Sequence, residues 1–122
     1  MITVLIPPCS RLGNLLFQYA YARNLAIRNR TTVLMDFSLC FNFHEILAPK
    51  AARYLPHFKL KCDLKIPSVF QRFFMRCRFS RSDDLVPHRG LITEAISGFS
   101  DEMLIIPDGS VLYGFFQSQK YF

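Results

Sequence analysis

The first 36 residues contain a strand pattern, a helical pattern and a second strand pattern in immediate succession. The run ITVLI, residues 2–6, is continuously apolar and rich in β-branched residues, and two prolines end it. This composition predicts a buried strand of a parallel sheet. Apolar residues recur at helical spacing from Leu12, two arginines within 28–30 close the helix, and TTVLMD, residues 31–36, predicts another strand. Together they predict a βαβ unit with parallel strands and a right-handed crossover.

Beyond residue 36 the patterns are weaker and predict shorter elements. A chain of 122 residues that is 51% hydrophobic and 20% charged has enough apolar material for one small core, so we expect a single α/β domain. We expect irregular structure with short helices over 37–61, a helix over 68–81, a loop over 82–90, an extended or short helical piece over 91–98, a short helix or strand over 100–107, a turn at 108–109 and a strand over 110–117.

The apolar stretches and the cysteines argue for a soluble cytosolic chain. The stretches MITVLIPPC and MLIIP are far shorter than the roughly 18 to 20 residues that cross a bilayer, and no charged region precedes the first as a signal peptide requires. The four cysteines have no close pair, which is neither a zinc pattern nor a compact disulfide framework. We interpret them as reduced thiols.

The positive charge is concentrated in the middle of the chain. Residues 59–89 carry eight Lys or Arg against three acidic residues, whereas the net charge of the whole chain is +6. Within them, residues 68–81 place an apolar stripe beside several arginines, as in a basic amphipathic helix. Such a helix fits a surface helix on the core, a peripheral membrane contact or a nucleic-acid face. We favour the first, and no nucleic-acid module pattern is present.

The stretch CSRLGNLLFQ, residues 9–18, stands at the first turn from strand to helix and has the composition of an anion site. Unpaired amides at a helix start and the helix dipole attract anions there, outside the carboxyl end of a strand. Arg11 offers a planar fork for phosphate, Gly13 permits close approach to the backbone, and Asn14 offers a donor and an acceptor. These residues fit a phosphorylated or nucleotide-linked ligand.

Two other interpretations of this turn remain open. In the structural one, Ser10 is the helix N-cap, Gly13 permits close helix packing and Arg11 is solvated. In the other, the turn binds a dinucleotide, because Asp36 follows Gly13 by 23 residues, about where an acid would hold a ribose hydroxyl. That fingerprint needs three glycines, and this turn has one.

Four segments, in order along the chain, resemble the α-1,2-fucosyltransferases of glycosyltransferase family 11. The family's amino-terminal signature, with Gly-Asn and Phe-Gln-Tyr-Ala, is similar to RLGNLLFQYAYARNLA. The strand TTVLMD, the segment ARYLPHFKLK and the terminal ITEAISGFSDEMLIIPDGSVLYGFFQSQKYF resemble later family blocks. The last of these family blocks contains Gly-Tyr-Phe-Gln-Ser-x-Lys-Tyr-Phe, and this chain has GFFQSQKYF in its place. Residues 63–90 match nothing in the family and read as a basic amphipathic insertion.

The resemblance implies a GT-B architecture, in which two Rossmann-like domains face a cleft, and an inverting, metal-independent transfer of fucose from GDP-fucose to a galactose-containing glycan. No cofactor besides this donor substrate is implied. By similarity, Arg11, Gly13 and Asn14 are the expected donor-binding residues. Gln18 is expected to pack rather than to contact the donor. In the terminal block Gly114, Gln117 and Tyr121 match the family pattern, and the resemblance implies only that they line or brace the cleft.

Three departures from the family pattern bear on activity. Ser10 and Leu15 stand where the family has Gly and Gln. The family's His-x-Arg-x-Gly-Asp signature, whose arginine neutralises the diphosphate, does not occur in this sequence. We therefore expect the chain to be the amino-terminal domain, residues 1–122, of a fucosyltransferase, to need a carboxyl-terminal domain as its partner, and to be inactive alone. The alternative is an inactive remnant, or a binding or structural domain of the same fold.

No residue of the sequence stands out as the general base. His44, His57 and His88 have no neighbour at metal-ligand or triad spacing, so we expect surface or loop histidines. The adjacent Asp83 and Asp84 would point away from each other in a strand or a helix. Enzymes of the resembling family would meet lipid-carried acceptors at the inner face of the membrane, which leaves a peripheral contact through residues 68–81 as an expectation.

Overall fold

The computed structural model describes residues 1–8, 10–40, 54–66, 68, 90–93 and 101–121. Within these ranges one α-helix and five strands form the fold: β1 (Ile2–Leu5), α1 (Leu12–Arg28), β2 (Val33–Asp36), β3 (Asp63–Lys65), β4 (Leu91–Thr93) and β5 (Val111–Tyr113). Short 3-10 helices span Leu55–Phe58, Asp101–Leu104 and Gln119–Tyr121. The predicted strand, helix and strand of the first 36 residues are all confirmed.

The described strands form one parallel sheet in the order β3-β2-β1-β5-β4. β1 pairs with β2 from Ile2 opposite Val33 to Leu5 opposite Asp36, and its other edge pairs with β5. A parallel sheet with a helix crossing between β1 and β2 is an α/β fold, as the sequence predicts. The sequence does not predict β3. β5 falls inside the predicted strand over 110–117, and β4 falls inside the segment predicted as extended or short helical.

The strand order changes direction at β1. Along the chain β2 and β3 extend the sheet on one side of β1, whereas β4 and β5 lie on the other side. In open α/β sheets ligands bind outside the carboxyl ends of the strands at such a switch point. Here the two strands that flank it end at Leu5 and Tyr113. A ligand site is therefore expected at the loops that follow these two residues.

The core is built on both faces of β1. Val4 and Leu5 point to opposite faces of the sheet, and both are buried, which explains the unbroken apolar run of this strand. The helix α1 covers one face with its buried side chains, among them Leu15, Tyr21 and Leu25.

Three aromatic rings pack together beside α1. The ring centroid of Tyr21 lies 4.6 Å from that of Phe116 and 4.7 Å from that of Tyr121, and all three side chains are fully buried. The hydroxyl of Tyr21 donates a hydrogen bond to the backbone carbonyl of Met103. Residues near the end of the described chain are thereby fixed onto the helix. Tyr121, expected to line or brace the cleft, has its ring in this core.

The predicted basic helix over 68–81 lies outside the described residues apart from Ser68, as do His44, His88, Asp83 and Asp84. His57 is exposed within the 3-10 helix at 55–58. Among the helices in the described ranges, none has the length and apolarity to span a membrane.

Candidate ligand site at the carboxyl ends of β1 and β5

The helix α1 begins without a side-chain cap. Its N-cap residue is Arg11, in extended backbone conformation, and no side chain in the described ranges caps the first turn. The predicted cap at Ser10 is wrong, because the Ser10 amide donates to the carbonyl of Pro7 at 3.0 Å and its hydroxyl faces Gln18. The first turn also carries no acidic residue. Its free amides therefore face the carboxyl edge of the sheet with a positive partial charge that favours anions.

Gly13 lies in this first turn with open space around it. A Cβ built on Gly13 meets no atom of the described residues within 4 Å, and the residue is exposed. Its φ is not in the left-handed region, so the backbone does not require a glycine there. The interpretation that Gly13 permits close helix packing is therefore wrong for the described part of the chain. A glycine in a helix costs about 0.5–1 kcal/mol relative to alanine, and nothing in the described packing offsets this cost.

Asn14 is hydrogen-bonded to a residue that follows β5. The Nε2 of Gln117 donates to the Oδ1 of Asn14 at 2.7 Å. Gln117 is exposed and Asn14 is half-buried, so this contact lies at the surface. Residues 103 positions apart in sequence thus meet at the first turn of α1.

Gln18 makes a second contact between α1 and the end of β5. Its Nε2 donates to the carbonyl of Gly114 at 2.7 Å and makes a longer contact of 3.4 Å with the Ser10 hydroxyl. The side chain is fully buried, and its Oε1 has no hydrogen-bond partner within the described ranges. A buried acceptor left unpaired costs roughly 1–3 kcal/mol. Ser10, Asn14, Gln18, Gly114 and Gln117 together are called the carboxyl-edge cluster below.

The backbone before Gln117 has an unusual conformation. Phe116 has a φ of 51°, in the left-handed region of backbone conformation that residues other than glycine rarely adopt. Such a conformation costs about 1–2 kcal/mol, which burial of the Phe116 ring against Tyr21 offsets. The same turn directs the next residue, Gln117, back toward α1.

Arg11 is exposed beside this cluster, and its guanidinium forms no ion pair with any described residue. The structure thus brings Asn14 into contact with Gln117, and Gln18 into contact with Gly114. Arg11 and Gly13 lie on the adjoining turn. Tyr121, which is also a predicted site residue, makes none of these contacts, and its ring lies in the core.

The acid on which the dinucleotide interpretation depends is already engaged. The Oδ2 of Asp36 lies 2.8 Å from the Nζ of Lys65, and its Oδ1 accepts hydrogen bonds from the amide and the hydroxyl of Ser38. Asp36 is also buried. Its carboxylate therefore holds β3 and the turn after β2 in place, and it does not offer a free edge to a ribose.

A groove of about 320 Å³ lies at the other end of α1, away from the carboxyl-edge cluster. Its lining includes Leu25, Arg28 and Asn29 of the last helical turns together with Leu104 to Pro107. Ile105 in this segment is 86% exposed. None of the predicted site residues lines this groove.

From the sequence, four of the five members of the carboxyl-edge cluster are candidate site residues and Ser10 is a candidate N-cap, but no sequence pattern pairs them. The sequence feature that indicates this contact is the presence of Asn and Gln in two separate segments, the first turns of α1 and the residues after β5. A scan of the chain against models of protein families found no match, and searches of curated proteins and of solved structures found none. The resemblance to glycosyltransferase family 11 stays a prediction.

Proposed function

We propose that the chain is the amino-terminal domain of an inverting, metal-independent α-1,2-fucosyltransferase of GT-B architecture. In this proposal it contributes to the transfer of fucose from GDP-fucose to a galactose-containing glycan. The carboxyl edge between β1 and β5 faces the donor across a cleft, and a carboxyl-terminal domain supplies the other wall. The fold supports this proposal at the level of a parallel α/β sheet with a switch point at β1.

The observation that carries the proposal is the contact between two of the segments that resemble the family. Asn14 and Gln18 belong to the first of these segments, and Gly114 and Gln117 belong to the last. They meet through the two 2.7 Å hydrogen bonds of the carboxyl-edge cluster. Segments recognised independently at opposite ends of the chain thus share one location, as expected if both contribute to one site.

The chemistry of the donor fits the groups that surround this location. Metal-free transfer requires that positive groups stabilise the leaving diphosphate. The uncapped first turn of α1 offers backbone amides, Arg11 offers an exposed guanidinium, and Gly13 leaves space for a phosphate oxygen to approach them. Asn14 adds a side-chain amide to the phosphate or the fucose.

The proposed site is incomplete within this chain. The family's principal diphosphate arginine belongs to a signature that this sequence lacks, and no described side chain is placed as a general base. In the proposal both functions lie in the carboxyl-terminal domain. The chain alone then binds donor and does not transfer fucose.

Titration of the chain with GDP-fucose, followed by ¹H–¹⁵N NMR, tests the proposal. We expect saturable shifts of the Leu12, Gly13 and Asn14 backbone amides with a Kd tighter than about 1 mM, since millimolar binding represents only about 4 kcal/mol and would favour the inactive remnant. Asn14→Ala should weaken this binding. The matched control is Asn29→Ala, which removes a carboxamide that donates to the Ile106 carbonyl at 2.8 Å at the other end of the helix. Absence of binding would favour the inactive remnant.

A transfer assay tests the same role in a longer chain. In a protein that joins this domain to a second domain with His-x-Arg-x-Gly-Asp, Asn14→Ala should lower the rate of fucose transfer. An unchanged rate would remove Asn14 from the proposed donor site.

A further inference from the structure

The two amides at the surface of the carboxyl-edge cluster are joined by one hydrogen bond and not by two. Gln117 donates to Asn14 Oδ1 at 2.7 Å, and no reciprocal bond from Asn14 Nδ2 to Gln117 Oε1 is formed. Within the described residues this leaves Asn14 Nδ2 as a free donor and Gln117 Oε1 as a free acceptor. We call these two residues the amide pair.

A hydroxyl group both donates and accepts hydrogen bonds, so two neighbouring hydroxyls complement one donor and one acceptor held side by side. A phosphate oxygen at neutral pH only accepts, and the free acceptor of Gln117 would face it unfavourably. The amide pair is therefore suited to the hydroxyl-bearing part of a ligand. The free backbone amides of the α1 first turn are suited to its anionic part.

The position of Gln117 is set by its neighbour. Phe116 combines a fully buried ring with a φ of 51°, so the chain turns sharply after the ring and returns Gln117 to α1. A hydrogen bond between two amides at the surface contributes only about 0.5–1.5 kcal/mol in water. Because these polar groups are already held in place, less side-chain freedom is lost when a ligand binds, and the entropic cost of binding is lower.

A third amide lies next to the amide pair along α1. Gln18 is fully buried, its carboxamide lies between Ser10 and Gly114, and its Oε1 lacks a donor from the described residues. Gln18 also follows Asn14 by one helical turn, on the same side of α1. Because Gln18 has no exposed surface, its role is to hold the Gly114 backbone against α1 beside the amide pair and not to contact a ligand.

We propose that the amide pair recognises two neighbouring hydroxyls of the donor's sugar, and that Gln117 is a specificity-determining residue for that sugar. The inference rests on the proposed function for the identity of the donor. The inference goes beyond the proposed function because it assigns a sugar contact to Gln117, for which the resemblance implies only a place lining or bracing the cleft.

The test compares three ligands by ¹H–¹⁵N NMR of the whole chain: GDP, GDP-fucose and methyl β-L-fucoside, whose anomer is that of the donor in an inverting α-transfer. The side-chain NH₂ signals of Asn14 and Gln117 report on the amide pair directly. We expect GDP-fucose and the fucoside to shift these signals. Gln117→Ala should weaken GDP-fucose binding by about three- to tenfold and leave GDP binding unchanged. Asn29→Ala is the matched control and should alter neither affinity.

Gln117 is exposed, so its substitution by alanine should leave the fold intact, which the backbone spectrum checks. If Gln117→Ala changes the affinity for neither GDP nor GDP-fucose, the sugar contact is refuted and the donor site stands. If the fucoside shifts the amide pair but neither nucleotide binds, the sugar contact stands and the proposed function fails. If no ligand shifts any signal, both are overturned.

Discussion

Replacing Gly13 with alanine separates the contribution of this residue to folding from its contribution to binding. A methyl group at this position meets no described atom within 4 Å, so it creates no clash. Alanine is favoured over glycine in a helix by about 0.5–1 kcal/mol, and we expect the lower half of that range in the first turn. The variant should therefore unfold about 2–3 °C higher than the natural chain.

Binding should change in the opposite direction. The added methyl group occupies the space through which a phosphate oxygen would approach the first-turn amides. Loss of one charge-assisted hydrogen bond to an amide costs about 1.5–3 kcal/mol, so the affinity for GDP-fucose should fall at least about tenfold. Thermal unfolding by circular dichroism and an NMR titration on the same sample measure the two effects.

Gly109→Ala is the matched control for this experiment. Gly109 has a φ of 83° and lies at the amino end of β5, away from the carboxyl-edge cluster. Alanine there should destabilise the fold by about 1–2 kcal/mol and leave the affinity for GDP-fucose unchanged. A Gly13→Ala variant that is less stable than the natural chain, or that binds the donor equally well, would refute the reasoning.

Three further predictions concern contacts of the fold. Gln18→Glu should lower the free energy of unfolding at pH 7 by about 2–4 kcal/mol, because it places a carboxylate against the Gly114 carbonyl. Burial raises the folded pKa of this acid above its unfolded value of about 4.3, so urea melts should show the loss shrinking as pH falls through the raised value and levelling off below about 4.3. Tyr21→Phe should cost about 1–3 kcal/mol in the same assay with an unchanged m value, because the Met103 carbonyl loses its donor. The hydrogen bond from the amino-terminal ammonium, and then that from the Thr31 side chain, hold the pKa of Asp108 below its usual value. The resulting stabilisation is present above the unfolded pKa and lost as pH falls through the folded value, so Asp108→Asn should flatten the acid side of the melting-temperature profile.

The sequence predicted the elements that local pattern determines. The apolar run of β1, the helical spacing of α1 and the β-branched β2 are each recognisable within a few residues, and the structure contains all three. β3 was missed because its three residues are all exposed and carry no alternating pattern. Backbone pairing with β2 defines that strand, and such pairing depends on a partner distant in sequence.

The start of α1 shows how tertiary contacts override propensity. Ser10 is a good N-cap by residue type, yet its amide bonds to Pro7 and its hydroxyl faces Gln18, so the cap position falls to Arg11. The contacts of the candidate site escaped prediction for a related reason. They exist because β5 lies beside β1, and the periodicity of either strand does not encode that neighbour.

The central claim is that the uncapped first turn of α1 binds the diphosphate of a sugar nucleotide. A crystal of the chain soaked with GDP-fucose tests it most directly. The account predicts a phosphate oxygen within about 2.7–3.1 Å of the backbone amide nitrogens of Gly13 and Asn14. A nucleotide bound elsewhere, for instance in the groove at the other end of α1, would contradict it.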